Sequence, residues 1–478
     1  MELRQYAAQD AFGLAALVRN GDVSAAEVET AARHAIDAVG PQLHATVGEL
    51  IEPAFSATEE GPFAGVPFAL KEVAPHAEGQ RTQLGSRLTG EGVVGAADTH
   101  LMQRFRAAGF RVLARTRSPE FAFNATTEPL VHGPTRSPWD LERSVGGSSG
   151  GAAALVAARA LPVAHATDGG GSIRIPASLC GLVGLKPTRS RTPVGPGQWE
   201  ALHGMGHDFL LARTLRDVAA ALDAIHGPGV GDKYEIGVPA RPYVDELDAD
   251  PRRLRAAWTT DAWSGEPVDA ECCRAVEAAA SALDEQGHEV VGGAPVIDHE
   301  VMHRALVTAW AAGMAQRTAI AERALGVEAG PETVEACSLA MLRHGVTLSA
   351  TDLLNGYADC DLVGRGIGAF FQDVDVLVLP SVARIPWRLG ELDQNDPSLD
   401  HDGWVRKLFD RYCPFTAMFN ITGQPAMSLP LAWTDSGLPV GVQLVGRYGD
   451  EATLFRVAEQ LEQAFPWADR VPPVAVGA

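Results

Sequence analysis

Long apolar runs, basic residues and cysteines are all scarce in this chain, and each shortage excludes a class of protein. Its 478 residues contain no run of roughly 18 apolar residues, the length that a membrane-spanning helix needs. Lysine and arginine together number 39 against 60 aspartates and glutamates, for a net charge of −21. Because nucleic acids and anionic membranes bind basic surfaces, we expect neither nucleic acid nor a membrane as a partner.

The six cysteines predict reduced thiols rather than a disulfide framework or a zinc cluster. None of them forms a C-x-x-C pair, and Cys272 and Cys273 are adjacent. The N-terminal segment MELRQYAAQDAFGLAALVRNG lacks the charged and then apolar layout of a secretory signal. We therefore expect a cytoplasmic protein.

Short apolar segments alternate with helical patterns along the chain, and this alternation predicts an α/β fold. Strands are predicted at FAGVPFALKEVA, PVAHAT and DVDVLVLPS, and helices at ECCRAVEAAASALDEQG and TLFRVAEQLEQAF. Residues 1–60 predict two helices, the second capped by Ser24. Since no clear linker separates these segments, one large domain is expected over residues 1–478.

Two glycine- and serine-rich runs lie close together, GGSSGG at 146–151 and DGGGS at 168–172. The first matches the G-x-S-x-G elbow of α/β-hydrolases, but no apolar strand precedes it, so that interpretation fails. It also lacks the lysine of a phosphate-binding loop. In the second run, successive glycine N–H groups can converge on an anion beside Ser172. A plain glycine turn is equally compatible with those residues.

A serine nucleophile needs a base, and the chain offers two candidates. His165 falls inside a predicted strand, which favours a packed core residue. Lys71 ends the apolar run GVPFAL, where burial would favour its neutral amine, although a lysine after a strand is more often at the surface. The residues alone leave the base open.

A third motif, HEVMH at 299–303, matches the zinc-binding pattern H-E-x-x-H. Asp298 is the expected helix N-cap, which places His299 in the first turn, and no third histidine follows at the spacing of related zinc proteins. We therefore expect no metal and two exposed histidines. A zinc peptidase that uses His299, Glu300 and His303 stays the alternative of another class.

The chain resembles the amidase signature family of serine hydrolases. The resemblance rests on GVPFALKE, RSVGGSSGGAAALVAA, TDGGGSIRIPASLCGLVGLKPT and FNITGQPAMSLPL…GLPVGVQLVG, which occur in the family's order. It implies a central mixed, mostly parallel β-sheet of about eleven strands with helices on both faces. Within one domain, it implies N-terminal helices over 1–60, the core over 61–230, a variable substrate-lining region over 231–400 and a C-terminal part over 401–478.

Carried over position by position, the resemblance implies a Ser–cis-Ser–Lys triad of Lys71, Ser148 and Ser172, with a cis peptide bond at Ser148. The implied oxyanion-hole donors are the N–H groups of Gly169, Gly170, Gly171 and Ser172. The implied supporting residues are Ser149, Asp168 and Arg174, the last two as a buried ion pair. Two positions depart from the family pattern. Glu72 stands where aspartate is common, and Gly169 stands where a larger residue is common, which predicts a more flexible or roomier loop.

The implied function is hydrolysis of a carboxamide bond of a small non-peptide substrate, or of a urethane or ester, through an acyl-enzyme. No cofactor is expected, and the protein is expected to be a monomer or homodimer. The glutamine-hydrolysing subunit of the tRNA-dependent amidotransferase is the alternative within the family. Asn124 is a candidate donor to a substrate carbonyl, with a structural turn role as its alternative. Four tryptophans could line an apolar substrate pocket or belong to the core: Trp199, Trp310, Trp387 and Trp404.

Overall fold

The computed structural model describes residues 1–55, 58, 60–74, 76–197, 200–250 and 252–477. The strands are β1 Pro67–Lys71, β2 Arg81–Thr82, β3 Val93–Val94, β4 Arg111–Thr116, β5 Val163–Asp168, β6 Val183–Lys186, β7 His207–Ala212, β8 Arg255–Trp258, β9 Glu289–Gly292, β10 Val376–Pro380, β11 Ala426–Trp433 and β12 Pro439–Gly446. The helices are α1 Leu3–Ala8, α2 Ala11–Arg19, α3 Ala25–Leu43, α4 His100–Ala107, α5 Gly150–Ala157, α6 Arg174–Cys180, α7 Leu215–Ile225, α8 Val244–Leu247, α9 Ala270–Glu285, α10 His299–Leu325, α11 Ala336–Gly345, α12 Ala350–Asp373, α13 His401–Arg406, α14 Ala417–Thr422 and α15 Glu451–Ala464.

The central sheet is mixed and has eight strands in the order β5-β7-β6-β11-β12-β10-β8-β9. Five of its seven neighbouring pairs are antiparallel and two are parallel. Strands β1 and β4 form a separate parallel pair, and β2 and β3 an antiparallel one. The predicted α/β fold is confirmed, but the prediction of about eleven mostly parallel strands is wrong for the described residues.

The error has a topological cause. Alternating strands and helices produce parallel neighbours only where the crossover returns to the adjacent position, as β8, α9 and β9 do. Strand β7 instead lies between β5 and β6 and runs antiparallel to both. Strands β11 and β12 form a hairpin, which adds a further antiparallel pair.

The N-terminal segment forms three helices where the sequence predicts two. Asp10 accepts a hydrogen bond from the Gly13 N–H and starts α2 as a separate helix. The predicted cap of the next helix is confirmed, because Ser24 and Glu27 form a capping box at the start of α3. Within the part of the chain that the structure describes, no helix is both long and apolar enough to cross a bilayer.

Helix α5 is buried along its whole length and consists of glycine, alanine, leucine and valine. A Cβ at Gly151 would lie 2.5 Å from the Ala45 carbonyl oxygen, so only glycine allows this close approach. Because α5 leads directly into β5, the start of the helix and the end of the strand lie at the same end. The Ser149 hydroxyl, before α5, bonds both the backbone N–H and C=O of Thr167, at 3.2 Å each. The two glycine-rich runs therefore meet.

Candidate active site

Lys71 ends β1 with its side chain buried, as the run GVPFAL predicts. Its Nζ lies 2.7 Å from Ser148 Oγ and 2.7 Å from Thr167 Oγ1. Burial lowers the pKa of Lys71 to about 7, against the opposing effect of the Asp208 and Asp168 carboxylates. A large fraction of the amine is therefore neutral near pH 7 and has a lone pair that can accept a proton.

The GGSSGG run presents Ser148 to this amine, and the Gly147–Ser148 peptide bond is cis. Thr167, whose hydroxyl is the second one on Lys71, is not among the site residues that the sequence predicts. The strand alternation of β5 was a signal for it, since residues two apart share a face. His165 and Thr167 both lie on the face of β5 that meets Lys71.

The DGGGS run is held by the Asp168 carboxylate, which accepts from the N–H groups of Gly171 at 2.7 Å and Ile173 at 3.2 Å. Gly171 has φ +132°, and a Cβ there would lie 2.5 Å from Thr416 Oγ1. Because the Gly171 N–H already donates to Asp168, it is not free to act as one of the four predicted oxyanion donors. No hydrogen bond among the described residues uses the N–H groups of the other three, Gly169, Gly170 and Ser172. The Ser172 hydroxyl is likewise without a hydrogen-bond partner in the described chain.

The predicted ion pair of Asp168 and Arg174 is present, and both side chains are fully buried. Arg174 donates to the two carboxylate oxygens from Nε at 2.9 Å and from its NH2 group at 2.8 Å. The Thr416 carbonyl oxygen and the side chains of Gln443 and Asn420 accept its remaining hydrogen bonds at 2.9, 2.7 and 2.6 Å. Burial acts to raise the pKa of Asp168, but the guanidinium holds it below its usual range. This pair ties the DGGGS run to α14 and β12.

Behind Lys71 lie His165, Asp208 and His76, whose side chains are close to one another. His165 is buried, as predicted, and its Nδ1 accepts the Lys71 backbone N–H at 3.2 Å. The proton of this imidazole is therefore on Nε2, which donates to Asp208 Oδ1 at 3.3 Å. His76 Nε2 lies 3.4 Å from the same oxygen. Burial lowers the pKa of His165 to about 4, so this ring is neutral near pH 7.

The same three residues are the one group in the described chain whose ligand atoms are close enough to share a metal ion. A histidine binds a metal through a deprotonated nitrogen. The Lys71 N–H occupies Nδ1 of His165 and keeps the proton on Nε2, the atom that faces the others. The arrangement therefore fits a hydrogen-bond network that positions Lys71 and not a metal site.

The candidate site opens into a cavity of about 230 Å³. Its polar lining includes Ser148, Thr167 and Ser172, and its apolar lining includes Leu84, Phe121, Leu202, Trp310 and Ile320. A Cβ on Gly169 would lie 2.8 Å from Leu202 Cδ1 and 3.5 Å from Trp310 Cζ2. The prediction of a roomier loop at Gly169 is thus wrong, because Leu202 and Trp310 occupy the space that a larger side chain would take.

Asn124 lies close to the site, but its side chain is used within the fold. Its Nδ2 donates to the Leu392 carbonyl oxygen at 2.9 Å, and its Oδ1 accepts from the Thr126 N–H at 3.3 Å. These bonds favour the structural turn role over substrate binding. Of the four tryptophans, Trp310 lines the cavity, Trp387 and Trp404 are buried in the core, and Trp199 lies outside the described residues.

The HEVMH segment does not form a metal site in the described chain. His303 Nε2 lies 2.7 Å from Asp402, and His299 lies 3.1 Å from Asp410. Glu300 pairs with Arg406 at 2.8 Å. The three candidate ligands thus have separate partners on α13 and on the π-helix Lys407–Tyr412 that follows it. The prediction of two exposed histidines is also wrong, since His303 is 3% exposed.

Comparison with known proteins matches this fold and sequence to amide hydrolases. The amidase family profile matches residues 31–455. The chain is 37% identical to the 6-aminohexanoate-cyclic-dimer hydrolase of Pseudomonas sp. (strain NK87), over 97% of this chain and 96% of that one. It superposes on a solved structure of a 6-aminohexanoate cyclic dimer hydrolase with a TM-score of 0.91, at 34% identity and 99% coverage of both chains. A bacterial aryl acylamidase superposes with a TM-score of 0.85, at 25% identity and 97% coverage of both. The resemblance is confirmed: the chain belongs to the amidase family and is a hydrolase of carbon–nitrogen bonds.

Proposed function

We propose that this enzyme hydrolyses amide bonds of small non-peptide substrates through Lys71, Ser148 and Ser172. One observation carries the proposal: the buried Lys71 amine, with a pKa of about 7, lies 2.7 Å from Ser148 Oγ at the cavity that Ser172 also lines. A base whose pKa is near the working pH is the most effective one for proton transfer.

In the first step, Ser172 Oγ attacks the substrate carbonyl carbon. Its proton passes to Ser148, whose own proton passes to the neutral Lys71 amine. Thr167 Oγ1 accepts an N–H of that amine, which leaves the lone pair directed at Ser148. In this proposal the free N–H groups of Gly169, Gly170 and Ser172 stabilise the oxyanion.

In the second step, the C–N bond breaks, and the leaving nitrogen must be protonated because an amide anion is a poor leaving group. Ser148 supplies this proton and recovers one from the Lys71 ammonium. The acyl group stays on Ser172 as an ester, which water then hydrolyses by the same proton route. A urethane would form a carbamoyl or carbonate-type ester on the same residues.

The size and apolar walls of the cavity support a compact, non-peptide substrate. Two of the relatives are named as hydrolases of the 6-aminohexanoate cyclic dimer and of aryl acylamides. We infer the same broad class here, with amides and anilides as the first substrates to test and urethanes next. We further infer a cytoplasmic enzyme that acts as a monomer or homodimer.

A hydrolysis panel tests the proposal. An anilide, a urethane, a linear amide, a cyclic amide and glutamine are given to the wild type and to Ser172→Ala. We expect amine release from at least one non-peptide substrate, its loss in Ser172→Ala, and a covalent acyl adduct on Ser172 by intact mass. Ser436→Ala, in the exposed turn between β11 and β12, is the matched control.

Two results would contradict the assignment. Hydrolysis that survives near the wild-type rate in Ser172→Ala would exclude this serine as the nucleophile. Hydrolysis of glutamine alone would instead favour the amidotransferase-subunit alternative.

A further inference from the structure

Arg317, in the C-terminal half of α10, is a cation on the wall of the cavity. Its side chain is partly buried, and burial lowers the pKa of its guanidinium. Among the described residues it has no hydrogen-bond or ion-pair partner. The buried guanidiniums of Arg174 and Arg191 are by contrast paired, with Asp168 and Glu451 respectively. A partly desolvated charge without a hydrogen-bonded partner is unfavourable, so this position is suited to an anion from outside the chain.

Neither carboxylate of the described cavity lining forms an ion pair or hydrogen bond with Arg317, although the negative charge of Asp208 raises the pKa of its guanidinium against the effect of burial. The described lining contains two, Asp168 and Asp208. Asp168 accepts two hydrogen bonds from Arg174. Asp208 accepts from His165 and lies beside His76.

The rest of the cavity wall is largely apolar. Leu84, Phe121, Trp310 and Ile320 belong to it. A ligand that follows this wall would place an aliphatic or aromatic segment against these side chains. An anionic group at the end of that segment would reach the guanidinium, which binds a planar carboxylate through two parallel hydrogen bonds.

We propose that Arg317 selects substrates that carry a carboxylate, separated from the scissile amide by an apolar spacer. This inference rests on the proposed function and names its substrate class. It also distinguishes this chain from an enzyme whose substrate is an uncharged cyclic amide. Arg317 is thus a specificity-determining residue, and the carboxylate belongs either to the acyl part or to the amine part of the substrate.

Matched substrate pairs test the proposal. Glutaranilate is compared with 5-oxohexananilide, in which a methyl ketone replaces the carboxylate of the acyl part. For the amine part, 4-acetamidobenzoate is compared with 4-acetamidoacetophenone. Since a charged hydrogen-bonded pair contributes about ten- to a hundredfold, kcat/KM should favour the carboxylate by at least about tenfold in one of the two series.

The variants assign this preference to one side chain. Arg317→Gln should reduce the ratio of the two kcat/KM values to about one, and Arg317→Lys should retain part of it. Arg323→Gln, on the exposed side of the same helix, should keep the wild-type ratio. A wild-type ratio near one in both series, or a ratio that Arg317→Gln leaves unchanged, would overturn the inference.

Binding separates this inference from the proposed chemistry. Calorimetry on Ser172→Ala measures Kd for the same pairs, with and without Arg317→Gln in the same chain. A preference for the carboxylate that depends on Arg317 supports the inference even if the wild type releases no amine, in which case it is the proposed reaction that fails. Equal affinities for both members of each pair, together with amine release by the wild type, would reject the inference alone.

Discussion

The pH dependence of hydrolysis should report the ionisation of Lys71. Burial lowers its pKa from the ordinary 10.5 to about 7, which corresponds to a preference for the neutral amine of about 5 kcal/mol. About half of the molecules then have a neutral amine at pH 7, about a tenth at pH 6, and roughly one in 3,000 would have it at pH 7 without the shift. For an uncharged anilide, kcat/KM should rise about tenfold per pH unit below 7 and level off above about 8.

Two variants should move this midpoint in opposite directions. The Asp208 carboxylate raises the pKa of Lys71, and the Arg317 guanidinium lowers it. Asp208→Asn keeps an oxygen to accept from His165 but removes the negative charge, so the midpoint should fall by about one pH unit. Arg317→Gln removes the positive charge, and the midpoint should rise.

Initial rates of aniline release from pH 5 to 9.5 at constant ionic strength measure these shifts. His165 does not titrate in this range, because its pKa is about 4. Asp208 does not titrate there either, because His165 and His76 hold the pKa of its carboxyl below the usual range despite its burial. His76→Gln should keep the wild-type midpoint. A midpoint below pH 5, a rate that still rises at pH 9.5, or movement of both variants in one direction would refute Lys71 as the base.

Four further outcomes are expected. Thr167→Val should lower kcat/KM about ten- to a hundredfold by removing a hydrogen bond to the buried amine, while Thr167→Ser should restore most of the rate. Arg174→Met should lower the free energy of unfolding by about 3–5 kcal/mol in denaturant titrations, since Asp168 is left as an uncompensated buried charge. Burial and a neighbouring carboxylate raise the pKa of Glu335 from 4.5 to about 8. As pH rises, the unfolded chain loses this proton before the folded chain does, so the free energy of unfolding decreases between those two pH values. From pH 5 to pH 9, Tm should therefore fall less in Glu335→Gln than in the wild type. A chelator should leave activity unchanged, and a loss that zinc restores would contradict the pairing of His303 with Asp402.

Local sequence patterns predicted the structure correctly wherever residues of a single segment determine it. The run GVPFAL predicts a buried strand with Lys71 at its end, and Ser24 predicts the start of a helix three residues before its capping partner. Both are confirmed, because strand burial and helix capping depend on residues a few positions apart. Strand order is different: the position of β7 between β5 and β6 depends on which non-local pairing is most stable.

Some features of the candidate site were likewise predicted from local sequence, and others depend on the tertiary structure. The two glycine-rich runs and the resemblance that they carry pointed to Lys71, Ser148 and Ser172, although glycine content alone did not distinguish a turn from an oxyanion hole. The loss of Gly171 as a free donor required the Asp168 carboxylate to be placed in three dimensions. The hydrogen bond from Asn124 to Leu392, far along the chain, likewise favours the turn role and depends on the tertiary structure.

The sequence by itself determined the α/β class, the family and the residue types at the site, since these depend on local periodicity and on short motifs. Only the tertiary structure decided the mostly antiparallel sheet, the hydrogen bond from Thr167 to the lysine amine and the histidine–aspartate network behind it. It also placed Arg317, from the variable region, on the wall of the cavity. These features bring together side chains that are distant in sequence, and their energies depend on burial and distance, which no single segment of the chain specifies.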